Sequence, residues 1–390
     1  MSRFLFVVPP LVGHINPTVG VAGCLAEAGH EVAWVGDAEM VRTLAGDRHP
    51  IYDCSTAVVL GQRPPQVRHV EALRYLWEGF LIPLGEAMVP GVLAAVEEFG
   101  PDVLVVDQQA FAGALVAEQL GIPWVTSATT SAAFDDPLIG LPKIEAWVRD
   151  QLDGLWARFG HAERVIDPQF SPTLVLAFTT RALLGPEHVP EPAVRFVGPS
   201  IAERPADADS PWHTWKDERP AVLVTLGTAN VDAGGDFLSR CATALAERDV
   251  RAVIVDPGGV LGPQPPHVLV RAHIPQLSVL PQVDAVVCHA GHNTVCETLW
   301  HGLPLVLAPI RDDQPVVTKQ VVEAGAGVRL RFARSGAERI GAAIDEVLTE
   351  PSYRDSALRI RDSFHTAGGA PTAAAELAGV AAKLNGRIAS

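Results

Sequence analysis

The fold of this chain is decided by the stretch Ala285-Val-Val-Cys-His289-Ala-Gly291-His-Asn293-Thr294-Val-Cys-Glu297. A short apolar run is followed by a glycine turn and then by a helical pattern that opens on Asn and Thr. Such a run is typical of a strand buried on both faces of a parallel sheet. A helix that begins directly after the strand offers free backbone N–H groups and the positive end of its dipole to a phosphate. The stretch therefore predicts an α/β unit with an anion site at the carboxyl end of a strand.

The same alternation of short apolar runs and longer helical patterns continues along the chain. The first half predicts strands at 4–8, 31–35, 103–106 and 124–126, and helices at 16–28 and 111–120. The second half predicts strands at 221–225, 252–255, 285–288 and 305–308, and helices at 237–247, 294–301, 315–324 and 370–384. Because helices at this spacing supply crossovers between parallel strands, the predicted class is α/β.

Residues 200–219 separate the two halves. They are rich in Pro, Ala, Asp and Glu and have no clear periodicity, which is typical of a linker. We therefore predict two doubly wound domains of similar size, residues 1–199 and 220–390, joined by the linker 200–219. The sequence does not say where the last helix packs, and a return to the first domain is one option.

Composition narrows the class of protein. The chain has 390 residues, of which 48% are hydrophobic and 19% are charged, so two real cores are expected rather than disorder. Its 30 Lys and Arg against 45 Asp and Glu give a net charge of −15. Nucleic acids and anionic membranes require a cationic surface, so this balance argues against both as partners.

The cysteines and the apolar segments indicate a compartment. Five cysteines occur with no C-x-x-C spacing, and the apolar run at the start is too short for a secretory signal. No stretch approaches about 18 uninterrupted apolar residues, the minimum for a transmembrane helix. We therefore expect reduced thiols, a cytoplasmic location and no membrane span.

The first turn carries a candidate base. Pro9-Pro-Leu-Val-Gly-His14-Ile-Asn-Pro17 follows the first strand, at the sheet edge where α/β proteins bind ligands. Gly13 allows a close backbone approach, and Pro17 suits the first turn of a helix. A helix N-terminus disfavours the imidazolium form and so leaves His14 able to act as a base. The alternative is a histidine that only caps or packs.

Asp107 ends another predicted strand in the first half. A carboxylate at this edge can accept the second N–H of a histidine, fix its tautomer and stabilise its charged form. The alternative is an N-cap for the helix that follows. Spacing alone does not join His14 to Asp107.

The second half adds a further turn suited to an anion. Thr225-Leu-Gly227-Thr228 follows a strand and can bring backbone N–H groups close to a phosphate. His289 and His292 leave open a metal pair or a purely structural turn, although no carboxylate or thiolate spacing favours zinc. The D-x-D sequence Asp207-Ala-Asp209 lies in the linker rather than at a strand end, so metal independence is expected.

Several segments together resemble family 1 glycosyltransferases of the GT-B fold, in the family's order. The segments are His273-Ile-Pro-Gln276, His289 through Glu297, Gly302-Leu-Pro304 and Pro309-Ile-Arg-Asp-Asp313-Gln314, with Gly13-His14-Ile-Asn-Pro17 and Phe196-Val-Gly-Pro199 in the first half. The resemblance is strongest to bacterial natural-product members, including zeaxanthin and indolocarbazole glucosyltransferases. It implies two facing Rossmann-like domains, with acceptor bound mainly by the first and nucleotide sugar mainly by the second.

The resemblance also implies residue roles. His14 would deprotonate the acceptor with Asp107 as its partner, Glu297 would bind the ribose, and Asp313 and Gln314 would bind the sugar or cap the helix beyond them. The implied donor site consists of Gly227, Thr228, His273, Ile274, Gln276, His289, Gly291, His292, Asn293, Thr294, Glu297, Asp313 and Gln314. No cofactor and no metal are implied beyond the nucleotide-sugar co-substrate.

Two departures from the family pattern affect the donor. His273 stands where many members stack a Trp on the base, and His292 stands where plant members have Trp. The expected donor is UDP-glucose, because Asp313-Gln314 resembles the pair of glucosyltransferases, and a dTDP-deoxysugar is the alternative. The expected reaction is inverting transfer to a hydroxyl or ring nitrogen, by a monomer or homodimer.

Aromatic residues of the first half point to a hydrophobic small-molecule acceptor. With Gly13, the candidate acceptor residues are Tyr75, Trp77, Phe80 and Phe134, each of which can instead be an ordinary core residue. Two rival functions stay open. A nucleotide-sugar epimerase would release isomers without an acceptor, and a non-catalytic partner protein would be expected to lose His14 or the donor signature.

Overall fold

The structure is a computed structural model that describes residues 1–54, 70–134, 141–159, 166–185, 193–202, 212, 218–227 and 234–388. Contacts divide the chain into two compact units. Unit 1 consists of Met1–Thr179, His188–Ala202 and Ala367–Ser390, and unit 2 of Thr180–Glu187 and Glu203–Thr366. Residues 180–187 thus join the second unit, and the C-terminal segment joins the first.

The described part of unit 1 is built on one seven-stranded parallel sheet. Its strands are β1 (Arg3–Val7), β2 (Glu31–Gly36), β3 (Ile51–Asp53), β4 (Val103–Asp107), β5 (Trp124–Ala128), β6 (Val175–Ala177) and β7 (Val194–Phe196). Their order is β3-β2-β1-β4-β5-β6-β7. The α-helices are α1 (Val12–Glu27), α2 (Ala38–Ala45), α3 (Val70–Arg74), α4 (Ile82–Phe99), α5 (Phe111–Leu120), α6 (Pro142–Phe159) and, at the end of the chain, α14 (Gly369–Ile388).

The described part of unit 2 is built on a six-stranded parallel sheet. Its strands are β8 (Ala221–Thr225), β9 (Arg251–Val255), β10 (Val268–Arg271), β11 (Ala285–Cys288), β12 (Leu305–Leu307) and β13 (Gly327–Arg329), in the order β10-β9-β8-β11-β12-β13. The helices are α7 (Arg181–Leu184), α8 (Gly235–Ala246), α9 (Gln276–Val279), α10 (His292–Trp300), α11 (Gln314–Glu323), α12 (Ala337–Thr349) and α13 (Pro351–Ala367).

Both sheets are covered by apolar side chains on their two faces. In β1, Leu5 and Val7 belong to a cluster with residues of α4 and α5, whereas Phe4 and Phe6 belong to a cluster with residues of α1 and α14. In β8, Leu223 packs with residues of α10 and α11, and its neighbours pack with α8 and α12. Successive strand residues point to opposite faces, so a buried parallel strand must be apolar throughout.

Each sheet has one place where the order of strands reverses. The chain moves outward from β1 through β2 to β3 and then crosses to β4 on the other side of β1. Unit 2 repeats this pattern from β8 through β9 and β10 to β11. The carboxyl ends of β1 and β4, and of β8 and β11, therefore flank the crevices where α/β proteins bind ligands.

The last helix, α14, packs against α1 in unit 1. It begins at Gly369, directly after Gly368. The φ angles of Gly368 and Gly369 are 88° and 59°, and a Cβ on Gly369 would lie 2.6 Å from the carbonyl oxygen of Pro199. Glycine is required at residue 369 because both the backbone angle and the close carbonyl exclude a side chain. Two glycines thus turn the chain from α13 into α14.

The strands and helices predicted from the sequence occur in the predicted order with small shifts at their ends, and further elements lie between them. The largest shift that affects the site is in α1, which begins at Val12 rather than at residue 16. Pro17 therefore lies in the second turn and not the first. Because proline has no backbone N–H, it cannot donate the helical hydrogen bond to the carbonyl oxygen of Gly13. Gly and Pro at short spacing favour a turn in the sequence, but here they lie within a helix. Most of the linker 200–219, including Asp207-Ala-Asp209, lies outside the described residues.

One described helical stretch is long and apolar enough to cross a membrane by length and composition. It is Glu71–Phe99, which combines α3, a π-helical segment at Tyr75–Leu81 and α4. Half of its most apolar window is buried inside the protein, and Leu84, Met88 and Val92 are fully buried. Core helices pass the same test, and this burial indicates a core helix of unit 1.

Candidate active site

A hydrogen-bonded cluster joins His14, Asp107 and Thr129 at the strand-order reversal of unit 1. The Nδ1 atom of His14 lies 2.9 and 3.0 Å from the two carboxylate oxygens of Asp107. The Oγ1 atom of Thr129 lies 2.8 Å from the same nitrogen and donates to Oδ2 of Asp107 at 2.7 Å. The structure thus brings together His14 and Asp107, which spacing alone left apart.

The fold accounts for this arrangement. His14 lies in the first turn of α1, directly after β1, and Asp107 is the last residue of β4, the neighbouring strand. In β4 and β5, Asp107 pairs with Ser127, so Thr129 extends just beyond the same edge. The backbone N–H of Gln109 donates to Oδ1 of Asp107 at 2.8 Å and helps to hold the carboxylate.

Burial gives the pair its chemical character. The side chain of Asp107 is fully buried, whereas that of His14 retains 13% exposure. A carboxylate at Nδ1 selects the tautomer that carries its proton on this nitrogen, which leaves Nε2 with a lone pair. The arrangement can therefore accept a proton at Nε2 while Asp107 stabilises the imidazolium that forms.

In unit 2, the imidazole of His289 lies between two glycines. A Cβ on Gly227 would lie 2.7 Å from Cε1 of His289, and a Cβ on Gly291 would lie 2.3 Å from Nε2. Gly227 also has a φ of 66°. Both glycines are therefore required by the ring, and the predicted donor residues His289, Gly227 and Gly291 form one cluster at the strand-order reversal of β8 and β11.

His289 is held neutral. Burial, reinforced by the nearby positive charge of Arg311, lowers the pKa of His289 to about 4, and the backbone of Thr225 acts weakly in the opposite direction. The ring is only 7% exposed, and its Nδ1 has no hydrogen-bond partner among the described residues. A buried ring nitrogen without a partner is a polar group available to a ligand.

The N-terminus of α10 lies beside this ring. Gly291 is the N-cap and provides no side-chain cap, and Ala290 before it adopts a φ of 68°. The first N–H groups of a helix have no intrahelical acceptor, so the start of α10 can bind an anion. Asn293 and Thr294, both predicted donor residues, lie in this first turn.

Glu297 and Gln276 form a second donor-side pair. Glu297 lies one turn further along α10 and is only 5% exposed. Its Oε2 accepts a hydrogen bond of 2.6 Å from Nε2 of Gln276, the first residue of α9. The structure therefore brings together two residues whose roles were predicted separately, the ribose ligand and the neighbour of the base.

Gln314 is bound to the loop before α11, a contact that the sequence did not predict. Its Oε1 accepts hydrogen bonds from the backbone N–H groups of Ile310 and Arg311 at 2.8 and 3.0 Å. These bonds hold the loop between β12 and α11, in which Asp312 adopts a φ of 57°. Asp313 is the N-cap of α11, but its side chain makes no capping hydrogen bond to the helix.

The remaining predicted donor residues have different environments. His273 is exposed and Ile274 is half-buried, between β10 and α9. His292 is buried, and its Nε2 lies 3.4 Å from Sγ of Cys296 in the same helix. Thr228 lies outside the described residues.

The candidate acceptor residues divide into core and partly exposed groups. Trp77 is only 6% exposed and packs beside Phe111 and Trp147, so it belongs to the core of unit 1. Tyr75 and Phe80 are half-buried in the π-helical segment. The half-buried ring of Phe134 lies 6.0 Å from those of Phe170 and Phe196, and Gly13 lies in α1 beside His14.

Two polar residues at the strand-order reversals, Thr129 and Asp256, are not predicted by the sequence. Thr129 was missed because its contact depends on the register of β4 and β5. Asp256 directly follows β9, lines a small cleft with Gly227 and Gly235, and is only 3% exposed. Its Oδ2 accepts the backbone N–H of Leu261 at 2.8 Å, while its buried Oδ1 has no partner among the described residues. An aspartate at the carboxyl end of a predicted strand could have identified Asp256 from the sequence, as it identified Asp107.

The described residues contain no group of three or more His, Cys, Asp or Glu side chains placed to hold a metal ion. The two parallel α/β sheets place the chain, by comparison with solved structures, in the GT-B class of glycosyltransferases. A solved structure of this class, the glycosyltransferase of kitacinnamycin, matches with a TM-score of 0.80 at 25% identity and covers 97% of this chain and 98% of its own.

Comparison of sequences gives the family. The model described as "UDP-glucoronosyl and UDP-glucosyl transferase" matches residues 215–372. The 4'-demethylrebeccamycin synthase of Lentzea aerocolonigenes is 32% identical, over 93% of this chain and 96% of that protein. The chain therefore belongs to the UDP-glucuronosyl and UDP-glucosyl transferase family, and it is a hexosyltransferase.

Two more relatives extend the comparison. The demethyllactenocin mycarosyltransferase of Streptomyces fradiae is 29% identical over 97% of this chain and 87% of its own length. The zeaxanthin glucosyltransferase of Pseudescherichia vulneris is 26% identical over 96% and 97%. The predicted GT-B fold and the predicted resemblance to glycosyltransferases of bacterial natural products are thus confirmed.

Proposed function

We propose that this glycosyltransferase transfers glucose from UDP-glucose, with inversion, to a hydroxyl or ring nitrogen of a hydrophobic natural product. The observation that carries the proposal is the contact between His14 and the fully buried Asp107. A histidine whose Nδ1 is held by a carboxylate presents Nε2 as a base, which is what an alcohol acceptor requires. The kinds of acceptor named for the relatives support the acceptor class.

In the proposed step, the acceptor oxygen attacks the anomeric carbon of the donor as its proton passes to Nε2 of His14. The bond from that carbon to the diphosphate oxygen breaks, and the diphosphate leaves with the electron pair. Attack opposite to the leaving group inverts the anomeric configuration. Asp107 stabilises the imidazolium that results, so the base is strengthened at the moment it is needed.

The donor side of the proposal rests on unit 2. The start of α10 offers N–H groups to the diphosphate, and the ring of His289 beside it is neutral. Glu297 would accept hydrogen bonds from the ribose hydroxyls. Asp313 would accept hydrogen bonds from the hydroxyls of the sugar, and the amide of Gln314 would donate to them. We propose a metal-independent reaction in which these helix-end groups stabilise the leaving diphosphate.

UDP-glucose is proposed because of the family and the glucosyltransferase relatives. A dTDP-deoxysugar remains the second candidate, and the mycarosyltransferase among the relatives favours it. We also propose a cytoplasmic enzyme, supported by five cysteines that are all free. A monomer and a homodimer both fit this function.

The test uses the purified chain with UDP-glucose, dTDP-glucose and a panel of alcohol and phenol acceptors, followed by mass spectrometry and NMR of the product. A β-glucoside formed from the α-linked UDP-glucose supports the proposal, and an α-glucoside overturns the inverting mechanism. Turnover with dTDP-glucose but not with UDP-glucose would overturn UDP as the donor nucleotide in favour of dTDP. Isomerised sugar nucleotide without acceptor would indicate an epimerase, and nucleotide binding with no turnover a partner protein.

The role of His14 is tested separately. His14→Ala should lower transfer to an alcohol by about 10²–10⁴-fold, the usual contribution of a general base. The loss should be smaller with a phenol, which ionises partly by itself, and UDP affinity should hardly change. Full activity of His14→Ala on the alcohol would remove His14 from the reaction.

A further inference from the structure

We infer that Thr129 is a positioning residue of the transfer reaction: its hydroxyl ties His14 to Asp107 and aims Nε2 of His14 at the acceptor. The inference rests on the proposed role of His14. It is carried by contacts of 2.8 Å from Oγ1 of Thr129 to Nδ1 of His14 and of 2.7 Å to Oδ2 of Asp107. Thr129 is only 3% exposed, so water does not compete freely for its hydroxyl.

The protons in this cluster can be assigned by counting donors. The hydroxyl of Thr129 has one proton, and an ionised carboxylate has none. The 2.7 Å contact to Oδ2 of Asp107 needs a proton between two oxygens, so the hydroxyl donates there. The contacts of Nδ1 of His14 with Asp107 and Thr129 then need a proton on the nitrogen. The ring therefore carries its proton on Nδ1 and its lone pair on Nε2.

Thr129 adds what Asp107 alone does not supply. Nδ1 of His14 lies almost equally far from both oxygens of Asp107, at 2.9 and 3.0 Å, so this contact alone does not favour one oxygen over the other. Oγ1 of Thr129, the residue directly after β5, adds a third oxygen within hydrogen-bond distance of this nitrogen. The hydroxyl of Thr129 also donates a hydrogen bond to Oδ2 of the carboxylate, and the backbone N–H of Gln109 donates one to Oδ1.

The position of Thr129 follows from the sheet. Asp107 pairs with Ser127 in the parallel register of β4 and β5, and Thr129 lies two residues further along the same chain. Thr129 thus lies directly after β5, at the edge of the sheet where β4 ends, and its hydroxyl contacts the carboxylate. A side chain that merely filled space here would not need an oxygen at 2.7 Å from a buried carboxylate.

The experiment compares Thr129→Val, which keeps the shape and removes the hydroxyl, with Thr129→Ser, which keeps the hydroxyl. The matched control is Thr179→Val, because Thr179 is fully buried near the end of β6 and its hydroxyl has no partner among the described residues. Thr129→Val should lower kcat for an alcohol acceptor by roughly 10- to 100-fold, as misplacement of a catalytic group does. KM for the donor should stay unchanged, and Thr129→Ser should restore most of the rate.

A spectroscopic readout separates this inference from the proposed function. In the wild-type chain, ¹⁵N NMR of His14 should report the tautomer with its proton on Nδ1, and that proton should exchange slowly with water. Thr129→Val should accelerate the exchange, whereas Thr129→Ser and Thr179→Val should not. The proton on Nε2 in the wild type, or unchanged exchange together with unchanged kcat in Thr129→Val, overturns the inference.

The double variant gives the last comparison. In a His14→Ala background, Thr129→Val should cause no further loss, because Thr129 acts through His14. A further loss comparable to that in the wild type would mean that Thr129 acts by itself, and would overturn the positioning role. If His14→Ala keeps full activity while the NMR changes occur as expected, the proposed function fails and the contact between Thr129 and His14 stands.

Discussion

Residue 291 has room for a hydrogen atom and nothing larger. A Cβ there would lie 2.3 Å from Nε2 and 2.8 Å from Cε1 of His289, yet the backbone of Gly291, with φ −62° and ψ 134°, suits any residue. The cost of Gly291→Ala is therefore displacement of the His289 ring. We expect at least a tenfold loss of UDP affinity by calorimetry, because the ring and the first turn of α10 form one site.

Gly336→Ala is the matched control. Gly336 is also a helix N-cap with negative φ, in unit 2, and a Cβ there would meet nothing within 4 Å. This variant should bind UDP like the wild type. Equal losses in both variants would show that the effect comes from helix capping rather than from His289.

His289 also predicts a pH dependence of stability. Its pKa is lowered to about 4 in the folded chain, from an ordinary value near 6.5. Above pH 6.5 both the folded and the unfolded chain hold it neutral. As the pH falls below 6.5, the unfolded chain takes up a proton that the folded chain refuses until about pH 4, so the folded state loses stability.

His289→Gln should remove this loss. Between pH 7 and pH 5 the wild type should lose about 2 kcal/mol more free energy of unfolding than the variant, from about 1.36 kcal/mol per pKa unit. Urea unfolding at both pH values measures the difference, whatever the variant's stability at pH 7. Parallel declines of the two proteins would contradict a neutral, buried His289.

At the scale of elements, the loop between β12 and α11 is held by the side chain of Gln314. Gln314→Ala removes the acceptor of two backbone N–H groups, so it should lower the free energy of unfolding by about 1–3 kcal/mol. Gln314→Glu keeps an acceptor oxygen and should retain most of the stability. Chemical unfolding of both variants decides between them.

The same pair of variants separates the loop from the sugar. If the amide of Gln314 donates to the sugar, Gln314→Glu should lose turnover with the sugar nucleotide while it binds UDP normally. Stability unchanged in Gln314→Ala would mean that the loop does not depend on this side chain.

The predicted strands and helices all occur, because parallel strands buried on both faces must be continuous apolar runs, but several elements, among them α4, α6, α12 and α13, were not predicted. β8, β11 and α5 have the predicted bounds, and the predicted turn between β11 and α10 occurs at Gly291. The start of α1 was not predictable, since Gly13 and Pro17 resemble turn residues. Thr129 was not predictable either, because its contact depends on which residues of β4 and β5 lie side by side.

The aromatic residues mark another limit of sequence patterns. Trp77, Phe80 and Phe134 were candidate acceptor residues for the same reason, that they are aromatic. In the structure Trp77 lies in the core of unit 1, whereas Phe80 and Phe134 are half-buried. Periodicity does not distinguish a pocket wall from a core position within a long apolar helix. Likewise, a donor-site motif does not reveal that the side-chain oxygen of Gln314 accepts hydrogen bonds from two backbone N–H groups.

At the scale of the whole molecule, α14 completes unit 1. Leu377 is fully buried in the cluster that includes Phe4 and Phe6 of β1. Leu377→Ala should destabilise unit 1 by about 2–5 kcal/mol, the usual cost of this truncation in a core. Hydrogen exchange should show lost protection in α1 and β1, with β8 and β11 unchanged.

Lys383→Ala is the control for this prediction, because Lys383 is exposed on the same helix. It should leave protection unchanged throughout the chain. Equal loss of protection in both units after Leu377→Ala would mean that the two units unfold together, and no loss in unit 1 would mean that α14 does not stabilise it.

The return of the chain to unit 1 has a consequence for protein synthesis. All residues of unit 2 have been made once the ribosome has passed Thr366, whereas unit 1 still lacks α14 at that moment. Domains generally fold as units as they emerge, the N-terminal one first. Here the order is reversed at the last step. Unit 1, which is translated first, must wait for α14 before the cluster that contains Phe4 and Phe6 is complete, whereas all of unit 2 has by then been made. A stalled or truncated chain would thus expose the apolar face of the older half.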